Sequence, residues 1–239
     1  LYYQGLGEFF YTNGIEADPD TFMDLLCEPS EDTARISDVF SFTDSALATD
    51  PAASDCGCLI PVGGGKDSAC TIEMLKKSGH PLYTYIINPR GATLSTVKVS
   101  GLSEDHSIHV KRTLDKNMLE LNRQGFLNGH TPFSALVAFS SVITARMYGL
   151  KYVALSNESS ANESTVAGST VNHQYSKSFE FEQDFHKYEK DWLGSGVYYF
   201  SMLRPLSEFQ IAKYFAGATV YYDIFRSCNA GSKQDIWCG

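Results

Sequence analysis

The sequence predicts an α/β protein in which helices flank a parallel sheet, with a smaller region at the N-terminus. From Gly57 onward, short apolar runs typical of strands alternate with amphipathic stretches typical of helices. Returning from each helix to the next strand requires a right-handed crossover, which makes the strands parallel. Polar segments follow three of the predicted strands, and such segments meet at one edge of a parallel sheet, where ligands bind. We therefore expect a ligand site at the carboxyl ends of the strands.

Residues 1–57 are predicted to form an N-terminal accessory region, and residues 58–239 the catalytic domain. Asp18-Pro19-Asp20 indicates a turn and the start of a helix, which the amphipathic stretch 21–27 continues. Residues 44–55 are small and polar and include a proline, as is typical of a loop or linker, so we place the boundary there.

The first half of the predicted domain contains strands and helices of ordinary length. Residues 58–62 are an apolar strand that ends at three glycines. Residues 66–78 form a helix whose apolar side chains lie mostly on one stripe, and Gly79 closes it. Residues 82–87 are a second strand rich in aromatic and β-branched residues. The remaining elements of this half are a short helix at 93–102 and a strand at 107–110.

The second half begins with a long apolar helix, residues 133–148, which we expect to be buried on most sides. Residues 151–155 form the next strand. A helix at 176–193 combines aromatic and charged residues, which predicts a packed face and a face of solvated charges. The alternative for one of these charges, Glu180, is that it reaches the edge of the sheet. The last elements are a strand at 197–200 and a helix at 205–215 with Pro205 in its first turn.

A glycine-rich turn, Gly63-Gly64-Gly65-Lys66-Asp67-Ser68, follows the first strand directly. Three residues without Cβ let backbone amides approach an anion, and the start of a helix adds further N–H donors. Lys66 adds a cation, Asp67 can hold a metal, and Ser68 supplies a hydroxyl for a phosphate oxygen. Neither the Walker spacing nor the dinucleotide spacing of glycines is present. A turn that only caps a helix is the alternative, but Lys-Asp-Ser after the glycines favours phosphate binding.

The turn resembles the PP-loop of the N-type ATP pyrophosphatases, Ser-Gly-Gly-x-Asp-Ser, with Gly63 in place of the first serine. The resemblance implies a fold like that of the adenine nucleotide alpha hydrolases (the HUP class). It also implies that ATP is cleaved to AMP and diphosphate through an adenylated substrate.

Four further segments resemble one bacterial family, the UDP-N-acetylmuramoyl-L-alanyl-L-glutamate epimerases of peptidoglycan synthesis. These segments are residues 88–93, 156–163, 172–178 and 228–239. The resemblance implies that the terminal L-glutamate of a UDP-linked muropeptide is inverted to D-glutamate, with ATP converted to AMP and diphosphate. In that family the sequence continues with further cysteines beyond the position of Gly239, so this chain is expected to be a shortened form.

Residues at the ends of three strands are the candidates for binding the nucleotide. Nucleotide phosphates imply Mg²⁺, for which Asp67 and Glu158 are the expected ligands. Asn88 and Arg90 follow the second strand, and the arginine can clamp a phosphate or carboxylate with two hydrogen bonds. Asn157 lies beside Glu158 after a later strand. The alternatives are a surface arginine and ordinary capping of loops.

A second set of polar residues is expected to contact the substrate. His173 is a candidate catalytic residue because histidine is the usual acid or base near neutral pH, although a structural histidine is the alternative. Lys177 can bind a phosphate of the UDP group or the glutamate side chain. The complete set of predicted substrate contacts is Arg90, Asn162, Glu163, Tyr175 and Lys177.

Two cysteines in the family-like tail, Cys228 and Cys238, are candidates for proton transfer. Lys66 and Asp67 are candidates for catalysis at the phosphates. Cofactor-free amino-acid epimerases often use two thiols, one for each face of the α-carbon. A buried thiol or a zinc ligand is the alternative. Three other cysteines flank the first strand and its helix and are expected in the core: Cys56, Cys58 and Cys70.

Composition limits the partners and the location. A formal net charge of −9 argues against a large basic surface for nucleic acid. Neither a membrane span nor a signal peptide is predicted, and the six cysteines suit a cytoplasmic protein with reduced thiols. Two other functions stay open: another PP-loop ligase or tRNA-modifying enzyme, which would need a basic RNA surface, and a nucleotide-sensing module without turnover.

Overall fold

The computed structural model describes residues 1–24, 26, 57–129, 131–162, 174–227 and 236. Within these residues, five strands form one sheet in the order β3-β2-β1-β4-β5, and every neighbouring pair is parallel. The strands are β1 (Cys58–Pro61), β2 (Leu82–Ile87), β3 (Ser107–Val110), β4 (Tyr152–Leu155) and β5 (Tyr198–Ser201). The predicted fold class, a parallel sheet flanked by helices, is confirmed.

Eight α-helices accompany the strands in the described part of the chain. They are α1 (Tyr2–Gly5), α2 (Gly7–Asn13), α3 (Lys66–Leu75), α4 (Gly91–Ser100), α5 (Lys116–Arg123), α6 (Phe133–Met147), α7 (Phe179–Tyr188) and α8 (Glu208–Phe215). None of the helices seen in these residues is both long and apolar enough to cross a membrane.

One face of the sheet packs against α6 and α7. Leu59 of β1 and Val153 of β4 point to this face, together with Tyr199 of β5, and all three are almost fully buried. Phe181 and Phe185 of α7 complete the same cluster. Side chains alternate along a strand, so the neighbours of these residues face the other way.

The opposite face packs against α3 and α4. Ile60 of β1 and Ile86 of β2 contact Ile72 of α3 and Val97 of α4 in a second buried cluster. A third cluster lies between α3 and α8 and includes Cys70. Both faces of the sheet are therefore covered, which explains why its central strands are apolar throughout rather than alternating.

Helix α6 corrects the expectation that residues 133–148 are buried on most sides. Only small or β-branched side chains are buried: Ala138, Ser141, Val142 and Ala145. Ile143 and Met147 are 52% and 57% exposed. The apolar composition of a helix does not determine how much of it is buried, because the sheet contacts only the narrow stripe of side chains that faces it.

In helices α3, α7 and α8, local capping or tightening gives bounds that differ from the predicted ones. Helix α3 ends at Leu75 and continues to Ser78 as a 3₁₀ turn, closed by Gly79 in the left-handed region as expected. Helix α7 begins after Ser178, whose hydroxyl accepts the Phe181 N–H, and it ends in a π turn. Helix α8 begins after Ser207, three residues later than predicted, because Ser207 and Gln210 form a capping box.

The N-terminal residues contain two short helices that the sequence did not predict. Leu1 packs against the cluster under α6, and Asn13 Nδ2 donates to the Asn128 carbonyl at 3.1 Å. The predicted turn at residues 18–20 is present, but residues 21–24 do not continue it as a helix. Instead Phe22 packs on Tyr3 and Phe10. The division of the chain at residue 57 stays a prediction.

Candidate active site

The glycine-rich turn lies at the carboxyl end of β1, where the order of the strands in the sheet reverses. Strand β1 pairs with β2 on one side and with β4 on the other, so the connections leaving these strands separate and open a crevice. The segments that follow β2, β4 and β5 all reach this edge. The sequence-based expectation that separate polar segments meet at one edge agrees with this arrangement.

Each glycine of the turn has different surroundings. Gly64 has φ +83°, and a Cβ there would lie 3.0 Å from atoms of Ala92 and Thr93 at the start of α4. A Cβ on Gly65 would lie 3.1 Å from Ser227 Oγ, whereas one on Gly63 would meet nothing within 4 Å. A side chain therefore fits at position 63, where the PP-loop motif has serine. Close approach of the backbone requires glycine at position 64.

The C-terminal segment of the described residues crosses this turn. The Arg226 N–H donates to the Gly64 carbonyl at 2.8 Å. Ser227 Oγ accepts the Lys66 N–H at 3.1 Å, at the first residue of α3. One of the amides predicted to face an anion is thus bonded to a hydroxyl oxygen, which shows that this amide is accessible to an oxygen acceptor.

Lys66 lies among carboxylates rather than alone. Its Nζ is 2.6 Å from Asp67 Oδ1 and 2.8 Å from Glu208 Oε1. Burial by itself lowers the pKa of Lys66, but the hydrogen bonds and charges of Asp67 and Glu208 outweigh burial and raise it. The ammonium therefore stays charged, so it can compensate a developing negative charge at this edge.

Glu158 and Glu208 form an unequal carboxyl pair. Burial, followed by the facing Glu208, raises the pKa of Glu158, although the Ser160 hydroxyl donates to its Oε1 at 2.6 Å. Glu158 Oε2 is buried and has no hydrogen-bond donor among the described residues. Lys66, followed by Glu158, lowers the pKa of Glu208. When one proton is bound by the pair, Glu158 is its preferred site.

Glu208 is the site residue that the sequence analysis missed. It is the first residue of α8, directly after the Ser207 N-cap, and α8 follows β5. The Ser207-to-Gln210 capping box was the available signal, because it predicts that a helix begins at 208 and therefore places an acidic residue at the carboxyl edge of the sheet. The predicted helix began at Pro205, which placed residue 208 within the helix rather than at its first position.

The charges at this edge suit an anionic ligand that binds together with a divalent cation. Asp67 and Glu208 both bond the Lys66 ammonium, and Glu158 faces Glu208, so the cluster carries an excess of negative charge once all three carboxyls ionise. The two predicted Mg²⁺ ligands, Asp67 and Glu158, both belong to it. No group of three metal-ligating side chains is preassembled within the residues that the structure describes. Carboxylate oxygens are nevertheless the donors that Mg²⁺ prefers.

Three predicted nucleotide contacts use their side chains for internal bonds. The Ser68 hydroxyl was expected to be exposed for a phosphate oxygen, but the residue is only 5% exposed. Its Oγ donates to the Gly65 carbonyl at 3.0 Å. Asn88 has φ +52°, and its side chain bonds the N–H and the carbonyl of Arg112 at 2.7 and 2.8 Å. Asn157 Nδ2 donates to Ser201 Oγ at 3.1 Å.

A cleft of about 230 Å³ adjoins the turn on the side of β2 and α6. Gly63 and Arg90 line its polar end, and Tyr85, Phe133 and Val137 contribute apolar walls. Arg90 is exposed, and its guanidinium forms no ion pair with the described residues. Its exposure leaves it accessible to an anion at this cleft.

The predicted substrate contacts have different environments. Tyr175 is 4% exposed and packs in the core, and its hydroxyl donates to Asp184 Oδ2 at 2.5 Å. Burial also raises its pKa, so this position argues against contact with substrate. Asn162 bonds the Phe179 N–H at 2.7 Å and thereby connects its loop to α7. Lys177 is exposed.

The proton-transfer candidates His173, Cys228 and Cys238 lie outside the described residues, as does Glu163. Cys58 and Cys70 are buried, as expected for core thiols. Burial raises the pKa of Cys58 to about 12 and that of Cys70 to about 11, which keeps both protonated near neutral pH. Cys56 also lies outside the described residues.

Replacing Glu208 by glutamine tests the carboxyl pair directly. We expect the pKa of Glu158 to fall in Glu208→Gln, because the facing negative charge is removed, and to stay above its ordinary value, because burial is the larger cause. Carboxyl ¹³C NMR titration measures this shift. Glu104→Gln, at an exposed residue of a distant turn, is the control and should leave Glu158 unchanged. An unaltered Glu158 titration in Glu208→Gln would contradict the coupling.

Comparison with known proteins gives one family. A model of the MurL N-terminal domain matches residues 1–202. A UDP-N-acetyl-alpha-D-muramoyl-L-alanyl-L-glutamate epimerase of Xanthomonas oryzae pv. oryzae is 33% identical over 248 residues, covering 100% of this chain and 51% of that protein. The protein of the same name from Salinispora tropica is 37% identical over 186 residues, covering 75% and 40%. The chain spans about half the length of the curated relatives it matches.

Solved structures are more distant. A protein described as a predicted subunit of tRNA methyltransferase from Methanocaldococcus jannaschii has a TM-score of 0.42 and 17% identity, over 67% of this chain and 74% of that one. NAD+ synthetase from Burkholderia pseudomallei has a TM-score of 0.31 and 11% identity, over 84% and 82%. At these scores the likeness carries no argument about function.

Proposed function

This chain belongs to the MurL N-terminal domain family, and from that premise we propose that it binds ATP in an enzyme that epimerises the terminal glutamate of a UDP-linked muropeptide. The reaction we propose converts UDP-N-acetylmuramoyl-L-alanyl-L-glutamate to the D-glutamate form, with AMP and diphosphate as the other products. The names of the curated relatives support the epimerase part of this proposal. The geometry of the glycine turn supports the nucleotide part.

The observation that carries the proposal is the turn after β1. Its Gly64 backbone is too close to α4 for a side chain, its amides lie at the start of α3, and Lys66 stands beside them. Backbone N–H groups at a helix start bind phosphate oxygens well because they are donors without partners in the helix. The β- and γ-phosphates of ATP would bind here, where Ser227 Oγ now accepts one N–H.

Magnesium follows from the charge of the site. A cluster of three carboxylates with one bound ammonium repels a triphosphate unless a divalent cation lies between them. Asp67 and Glu158 would hold Mg²⁺, with Glu208 as a third carboxylate near it. Bound there, the metal would neutralise charge on the leaving diphosphate. Lys66 would stabilise the same charge from the protein side.

The cleft beside the turn would take the nucleoside. Its walls are mostly apolar, as a purine ring requires, and Arg90 at its mouth would bind the α-phosphate or the substrate carboxylate. Asn88 would then position the backbone of Arg112 rather than contact the nucleotide, because both polar atoms of its side chain are bonded to Arg112.

Adenylation explains why an epimerase needs ATP. The α-proton of a free glutamate is hard to remove, because the carbanion forms beside a negatively charged carboxylate. Attack of the carboxylate oxygen on the α-phosphorus releases diphosphate and gives an acyl-adenylate, which can stabilise an enolate. A base then removes the α-proton, an acid returns one on the opposite face, and hydrolysis restores the carboxylate and releases AMP.

The residues for proton transfer stay proposals on sequence grounds. His173, Cys228 and Cys238 are the candidates for acid and base, and Lys177, Asn162 and Glu163 for contacts to the substrate. Tyr175 is not retained, because its hydroxyl is bonded to Asp184 in the core.

The test begins with binding and continues to turnover. Isothermal titration of this chain with ATP and Mg²⁺ should give saturable binding that is lost with EDTA. Incubation in D₂O with ATP, Mg²⁺ and the UDP-linked L-Ala-L-Glu substrate should release diphosphate and place deuterium at the glutamate α-carbon. Binding without turnover would support a nucleotide-sensing module. Diphosphate release that depends on tRNA instead of the muropeptide would replace the epimerase proposal, and absence of ATP binding would overturn the nucleotide site.

A further inference from the structure

Arg204 connects two separate segments at the carboxyl edge of the sheet. It lies in the turn after β5, where its Nη1 donates to the Glu158 carbonyl at 2.8 Å and its Nη2 donates to the Lys177 carbonyl at 2.6 Å. The Glu158 carbonyl belongs to the loop after β4, and the Lys177 carbonyl to the turn before α7. One guanidinium therefore fixes the backbone of both segments.

The Arg204 side chain is itself held by a buried ion pair. Its Nη2 lies 3.3 Å from Glu182 Oε2, and the two side chains are only 13% and 9% exposed. Nη2 also donates to Ser201 Oγ at 3.2 Å, and Glu182 Oε1 accepts the Ser201 N–H at 3.4 Å. Glu182 of α7 thus reaches this edge, whereas the sequence analysis named only Glu180. Burying an ion pair is expensive, so this pair is weak evidence for a role in stability.

The bonds of Arg204 reach the candidate site through Glu158. The carbonyl that Arg204 holds and the carboxyl that faces Glu208 belong to the same residue. Glu208 in turn bonds Lys66 at 2.8 Å. A shift of the Glu158 backbone would therefore change the distance between its carboxyl and that of Glu208, the partner of Lys66. Errors of about 1 Å in such positions cost up to about 100-fold in rate or binding.

We propose that Arg204 is a positioning residue that holds Glu158 in place opposite Glu208, the carboxylate that bonds Lys66. The same guanidinium keeps the segment carrying Lys177 at this edge, so it aligns the residues for the nucleotide with a candidate contact for the second substrate. Only arginine has the planar set of donors that reaches two carbonyls and a carboxylate at once. This inference rests on the proposed nucleotide site.

The double variant Arg204→Met/Glu182→Leu separates positioning from stability. Apolar side chains of similar volume often replace a buried ion pair without loss of stability. We expect the variant to fold, with a Tm within about 4 °C of the wild type. We also expect its Kd for ATP with Mg²⁺, measured by isothermal titration, to be about tenfold weaker. The control is Arg123→Met/Glu120→Leu, the same changes in an exposed pair on α5, which should bind ATP normally.

Arg204→Lys provides the second test. Lysine keeps a positive charge opposite Glu182 but has one nitrogen in place of the two that bond the Glu158 and Lys177 carbonyls, so ATP binding of this variant should also weaken. If the double variant folds and binds ATP as tightly as the wild type, the proposal is overturned. Should the double variant not fold, unchanged binding in a folded Arg204→Lys protein overturns it. Failure of the wild type to bind ATP would instead refute the nucleotide site on which the inference depends.

Discussion

Replacing Gly64 by alanine should lower the free energy of unfolding by about 2–4 kcal/mol and remove nucleotide binding. Two costs add at this position. The left-handed φ of +83° is unfavourable for a residue with a Cβ, and that Cβ would lie 3.0 Å from backbone atoms of Ala92 and Thr93. Relief of this contact requires the turn to move away from α4, which also moves the amides that would face the phosphates. Urea unfolding and isothermal titration with ATP and Mg²⁺ measure the two effects.

Two other glycines serve as controls for this variant. Gly79 also has a left-handed φ, +72°, but a Cβ there meets nothing within 4 Å, so Gly79→Ala should show the cost of backbone strain without a close approach. Gly63 has neither feature, so the stability of Gly63→Ala should be near that of the wild type. Equal destabilisation by Gly64→Ala and Gly79→Ala would mean that the contact with α4 contributes nothing.

Replacing Asp67 by asparagine should slow the release of diphosphate by about 100-fold or more while the fold is preserved. The change removes a negative charge but keeps the shape of the side chain, so it tests the proposed role of Asp67 as a metal ligand. Asp67 is 38% exposed, and its partner is the neighbouring Lys66. Loss of such a partly exposed pair costs about 1 kcal/mol or less, so the thermal midpoint should move only slightly.

The matched control for Asp67→Asn is Glu120→Gln. Glu120 forms an exposed ion pair with Arg123 on α5, away from the turn. Its replacement removes one carboxylate from an ion pair of the same chain and should leave the release of diphosphate unchanged. Release is followed with a coupled diphosphate assay in the presence of the muropeptide substrate and Mg²⁺. Full turnover by Asp67→Asn would show that this carboxylate has no part in the reaction.

Local sequence patterns predicted the features of this protein that are determined by residues close together in the chain. The apolar run before Gly63 and the alternation of strands and helices predicted the parallel sheet, because both patterns follow from backbone geometry. Gly79 ended its helix as expected, since only a few residue types adopt the left-handed region easily. The edge at which polar segments meet followed from the same pattern, because parallel strands all end on one side.

The tertiary structure decided which side chains lie free at that edge. Ser68, Asn88 and Tyr175 had the right residue types and positions in the sequence, yet each is committed to an internal hydrogen bond. Glu208 and Arg204 are far from the turn in sequence, and no motif identified their partners, yet one bonds Lys66 and the other holds Glu158. Hydrogen-bond partners between distant segments depend on how the whole sheet and its helices pack, and no local pattern of residues encodes that arrangement.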